Sequence, residues 1–171
     1  MKNAKKIAIT ALLTACALIV FMIESLFPPL LVVGAKVGLS NIFVMLALIL
    51  LDLPYALIVT VTKCLLGCAF TGTLSSLIYS LGGGLVSLGI VALLYYIFYP
   101  SVSLVSLSVV GAVMHNVTQN LLFILISQTP LMLSYLPYLT LVGILAGVIV
   151  GSAVHITIKT IPLSTYEKLL S

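Results

Sequence analysis

The residues best suited to chemistry cluster in one stretch, Gly111-Ala-Val-Met-His115-Asn116-Val-Thr-Gln119-Asn120, set inside a long apolar run. His115 and Gln119 are four residues apart, as are Asn116 and Asn120, so on a 3.6-residue helix the four fall on one face. Gly111 and Ala112 begin that stripe one turn earlier. In a membrane helix such groups belong in a bundle interior or a hydrated cavity, where they mark a functional site. The alternative is interhelical hydrogen bonding that only holds a bundle together. Four polar side chains on one face favour the site.

A second signal is Lys63, near the middle of another apolar run. An ammonium at that depth costs about 3 kcal/mol on insertion scales, so it calls for a carboxylate, water or an anionic ligand. Asn41 and Lys36 are further candidates for polar and anionic contacts. Gly82-Gly83-Gly84 weaken a helix and strip it of side chains, which lets the backbone bend or a ligand approach it. Close helix packing is the competing reading of the three glycines.

The rest of the chain carries little reactive chemistry. Glu24, Asp52 and Glu167 are its carboxylates, none near another in sequence. It has no aspartate-rich motif to hold magnesium on a diphosphate, no Gly-rich Lys-Ser/Thr loop for ATP and no His-Glu-x-x-His zinc helix. No catalytic residue, cofactor or metal is expected. Cys16, Cys64 and Cys68 lie in apolar runs and read as packing residues.

Composition assigns the elements that position these groups. With 63% hydrophobic and 6% charged residues and a mean hydropathy of +1.39, the chain is an integral membrane protein. Its 171 residues suit a single membrane domain, 1–171, and the lysines at its ends give a topology signal with no basic surface for nucleic acid. Lys2 to Lys6 before an apolar run, with Leu13-Thr-Ala-Cys16, resemble a cleavable leader. The apolar run continues to Phe27, however, so this reads as a retained first helix.

Breaks in the pattern predict an all-α bundle of about six transmembrane helices: Ile7 to Phe27, Leu39 to Leu51, Tyr55 to Phe70, Leu74 to Phe98 interrupted at Gly82 to Gly84, Leu104 to Ser127, and Leu136 to Ile158. Ala4, Ala8, Ala11 and Ala15 form a small-residue stripe on the first, for packing within the bundle or docking of a partner. Gly143, Gly147 and Gly151 form a close-packing motif on the last. Terminal lysines place both ends in the cytoplasm. Asn41, Gly82 to Gly84, Gln119 and Asn120 then fall in the outer half, with Lys63 and His115 near the middle, so the polar groups converge on a pocket open to the outside.

Three segments carry a resemblance: Gly34-Ala-Lys36-Val-Gly38-Leu-Ser-Asn41, Tyr79-Ser-Leu-Gly82-Gly83-Gly84-Leu-Val-Ser87, and Gly111-Ala-Val-Met-His115-Asn116-Val-Thr-Gln119. In this order they resemble the signature segments of the Gx transporter family, also known as heptaprenyl diphosphate synthase component I. That family often has arginine where Lys63 stands and glycine where Thr118 stands, departures that bear on the ligand more than the fold. Spans and length are similar to the substrate-binding subunits of bacterial energy-coupling factor transporters. The resemblance implies a subunit of the bacterial cytoplasmic membrane that captures a small molecule from outside and docks on a transmembrane coupling protein driven by ATPase subunits. It also implies that the alanine stripe is the docking face. The enzyme name implies a second role, a noncatalytic partner of a soluble prenyl diphosphate synthase subunit.

Overall fold

The computed structural model describes residues 2–26, 38–71 and 74–161, all of them helical or in short turns. Among these residues six α-helices follow one another: α1 (Lys2–Leu26), α2 (Asn41–Leu51), α3 (Leu53–Thr71), α4 (Leu74–Phe98), α5 (Leu104–Ser127) and α6 (Leu136–Thr160). Five of them are long and apolar enough to cross a membrane, and the chain is a multi-pass membrane protein. The sixth, α2, has 11 residues. At 1.5 Å per residue it spans about 16 Å, roughly half the hydrocarbon thickness. Lys36, Gly72, Thr73 and Glu167 lie outside the described residues.

Contacts between the helices establish a strict up-and-down order. Lys6 sits over the Tyr55 ring and Phe21 lies against Gly67, so α1 and α3 run in the same direction. Thr60 meets Gly84 and Cys68 meets Ser76, which makes α4 antiparallel to α3. Gly83 faces His115 and Ser87 bonds the Gly111 carbonyl at 2.8 Å, which reverses direction again into α5. The start of α1, the α2–α3 turn, the end of α4, the start of α5 and the end of α6 therefore share one end of the bundle. Ile9, Val102, Ile158 and Ile161 pack on a common core there.

The α5–α6 interface shows why the glycine repeat is where it is. A Cβ added at Gly143, Gly147 or Gly151 would fall 3.0, 2.4 or 2.6 Å from the Cα of Val113, Val109 or Val105. Lipid tails are as apolar as leucine, so close van der Waals contact rather than burial from water must hold such helices together. Removing side chains from one ridge lets the two backbones touch.

One expectation needs correction. Gly82 to Gly84 do not interrupt α4, which is continuous from Leu74 to Phe98. Packing outweighs the weak helix propensity, because Leu122, Gln119 and Thr60 fill the space the missing side chains leave. Between α5 and α6 lies a short 3-10 helix, Pro130–Tyr135, which leads directly into α6.

Candidate functional site

Asp52 makes the α2–α3 hairpin possible. Its backbone takes φ +104°, a conformation that favours glycine, and its own carboxylate compensates by accepting the Leu53 amide at 3.0 Å. Tyr96 of α4 donates its hydroxyl to the same carboxylate oxygen. These two hydrogen bonds, the tyrosine's first, hold the Asp52 carboxyl below its ordinary value of 3.8, and the charge of Lys6 adds to the effect.

The hairpin sets the register of the site. Asn41 and Lys63 lie eleven residues either side of Asp52, so antiparallel pairing brings them to one level. Lys63 is only 3% exposed. Its ammonium donates to Asn41 Oδ1 at 2.7 Å and Ser40 Oγ at 3.1 Å.

Because α2 is half-length, its N-terminal turn opens beside a lysine in the interior of the bundle. Helix N-termini carry unsatisfied amides and the positive end of the helix dipole. Here Glu24 from the end of α1 reaches that turn, accepting the Leu39 amide at 2.8 Å and the Ser40 amide at a longer 3.5 Å. Gly38 starts the turn with φ +74°, and its carbonyl accepts the Asn41 amide at 2.9 Å. A Cβ there would stand 3.0 Å from Asn41 Nδ2, so glycine is required both for the backbone and for the seat of Asn41.

His115 and Gln119 of α5 and Ser80 of α4 complete a polar cavity with Glu24, Ser40, Asn41 and Lys63. Its volume is about 20 Å³, room for one water molecule. A second cavity of about 40 Å³ lies beyond Gly38 and Asn41, which line both, and reaches Gly84, Ser87, Ser108 and Gly111. Gly83 lets α4 approach closely, since a Cβ there would be 2.8 Å from Gln119 Cγ and 3.0 Å from the His115 carbonyl.

The polar stripe of α5 divides between two neighbours. His115 and Gln119 line the cavity, whereas Asn116 donates to the Leu139 carbonyl of α6 at 3.1 Å and Asn120 to the Met132 carbonyl at 3.0 Å. Adjacent helical residues are about 100° apart, so a stripe that looks single in sequence is wide enough to serve both neighbours. Gly82 packs on Leu122, and Gly84 lines the second cavity. Ala4, Ala8, Ala11 and Ala15 are all exposed on α1. Cys64 and Cys68 are buried, and among the described residues no cysteine forms a disulfide.

Sequence reasoning did not single out Ser40, Gly38 or Ser80 as site residues. Ser40 and Gly38 flank Asn41 closely, and the signal was the Gly-Leu-Ser-Asn order that sets a tight turn before a helix. Ser80 sits one helical turn before Gly84 and gives no signal of its own.

Comparison with curated proteins and with solved structures returns no match. The sequence profile of one family matches residues 13–157, a span that takes in α2 to α5 whole, most of α1 and α6 and every residue of the polar cavity. On that match the chain belongs to the heptaprenyl diphosphate synthase component I family.

Proposed function

We propose that this protein is the membrane-embedded substrate-binding subunit of an energy-coupling-factor-type uptake transporter for a small anionic molecule. One observation carries the reading: the buried Lys63 ammonium and the N-terminal turn of the half-length α2 meet at the same interior cavity. Broken helices whose N-termini point at anionic groups are a recurring way of binding substrates within a membrane. Asn41, His115 and Gln119 supply donors and acceptors to orient a ligand, and the glycines of α4 bring the backbone close. Asn116 and Asn120 keep α6 in place behind them. Lys36 contributes a further positive charge on the chain that leads into α2.

The Glu24 carboxylate is the anionic group at the α2 turn. An entering anion takes over that role as Glu24 and Asn41 move aside and the two cavities merge. The exposed alanines at 4, 8, 11 and 15 leave α1 able to dock on a transmembrane coupling protein, whose ATPase subunits supply the energy. The cytoplasmic membrane, with both chain ends inside, is the location that suits this role.

The family description favours a second reading, a noncatalytic component of a heptaprenyl diphosphate synthase. Gentle purification from the native membrane separates the two. Recovery with coupling and ATPase subunits and a bound anion supports transport. Recovery with a soluble prenyl diphosphate synthase whose activity rises on adding this chain supports the accessory role and displaces the first reading.

A further inference from the structure

A cavity larger than those of the polar site lies away from them, on the outer face between α1 and α3. It is a groove of about 460 Å³ lined by Ile7, Thr10, Ala11, Thr14, Ala15 and Leu18 on α1 and by Tyr55, Ile58, Thr62 and Leu66 on α3. We propose that this groove seats one acyl chain of an anionic phospholipid, with the lipid phosphate held at Lys6. Ala11 and Ala15 belong both to this groove and to the face given above to a coupling protein, so the lipid occupies the groove in the undocked chain.

Length is the first argument. The two helices run in the same direction and line the groove over equal lengths, Ile7 to Leu18 on α1 and Tyr55 to Leu66 on α3. Ile7 to Leu18 covers about 16 Å along the helix, which is one leaflet's share of a hydrocarbon core about 30 Å thick. The groove therefore starts at the end of the bundle that holds the α2–α3 turn and stops near mid-depth, the path of a single acyl chain.

The lining is the second. Thr10 and Thr14 direct their hydroxyls to the Lys6 and Thr10 carbonyls of their own helix, each at 2.7 Å, so neither hydroxyl proton is offered to the groove. The exposed alanines at 11 and 15 give the groove its depth, and Ile7, Leu18, Ile58 and Leu66 make its walls mainly apolar.

Charge is the third. Lys6 stands at the mouth, half-buried, with its ammonium 5.7 Å from the centroid of the Tyr55 ring that begins the groove. The nearby Asp52 carboxylate accepts from Tyr96 and the Leu53 amide and shares the field of Lys6, so the mouth keeps a net positive charge only together with Lys5. Lys5 adds an exposed cation one residue away. An apolar slot one leaflet long with cations at its mouth complements a lipid that is anionic at one end.

The test uses the full chain, reconstituted in bilayers containing equal phosphatidylglycerol and phosphatidylcholine with the same acyl chains, and native mass spectrometry of the lipids retained. Phosphatidylglycerol should be retained in preference, and Lys6→Gln should lower that preference about fivefold while the fold is unchanged. Ala11→Leu with Ala15→Leu, at two exposed positions, should fill the slot and reduce retention of both lipids. Equal retention of the two lipids, or a preference untouched by both variants, overturns the proposal. So does preferential recovery of a polyprenyl phosphate from the native membrane, or cross-linking of the reconstituted chain alone that finds a second copy of it in the groove in place of lipid.

Discussion

Gly147→Ala measures how much of the bundle depends on backbone contact between α5 and α6. The added Cβ would lie 2.4 Å from Val109 Cα, 2.9 Å from Val109 N and 3.0 Å from the Ser108 carbonyl oxygen. All three atoms are backbone, so no rotamer change relieves the clash. Ordinary contact begins near 3.4 Å, and the helices must separate by about 1 Å, loosening the seats of Gly143 and Gly151 as well. Overpacking of this kind costs about 1–3 kcal/mol. Gly89→Ala is the control, because a Cβ there meets nothing within 4 Å and alanine is the better helix former by about 0.8–1 kcal/mol. Unfolding in mixed detergent micelles should give opposite signs, Gly147→Ala less stable than wild type and Gly89→Ala slightly more so. Equal stability of the two variants would refute the packing argument, since helix propensity alone favours alanine at both.

Gly38→Ala should be more harmful than its size suggests, because it strains a φ of +74° and crowds Asn41; ligand retention should fall further than thermal stability, and a variant that binds normally would remove the turn from the site. Tyr96→Phe tests the α2–α3 turn. The Asp52 pKa is depressed in the folded state, so its contribution is present above its ordinary value and is lost as pH falls through the lower folded value. Without the tyrosine hydroxyl, acid loosening measured between about pH 5 and about pH 2 should begin at higher pH, and an unshifted profile would contradict the assigned cause.

Much of the fold was legible because membrane helices advertise themselves by length and hydropathy. The boundaries of α4 and α5 follow from Tyr99-Pro100-Ser101 and from the polar break after Ser127. The packing use of Gly143, Gly147 and Gly151 was legible for a related reason, since a four-residue glycine repeat has few other uses in an apolar helix. The continuity of α4 was not, because propensity says nothing about Leu122 and Gln119 arriving from α5 to fill the space. Nor was the division of labour on α5, where His115 and Asn116 differ by one residue yet face different helices. The contact of Glu24 with the α2 turn joins residues fifteen apart through a segment with no periodic signal, so only the assembled bundle reveals it.

The central claim is that Lys63 is the anchor of an anion-binding site, and the most direct measurement is native mass spectrometry of wild type and Lys63→Met purified gently from their own membrane. Hydrogen bonds to charged groups contribute about 1.5–3 kcal/mol each, so the variant should bind the co-purified small molecule about ten- to a hundredfold more weakly. Its unfolding in detergent should stay close to wild type, because methionine fills a similar volume without a buried charge. Equal retention of the same anion by both proteins would contradict the account.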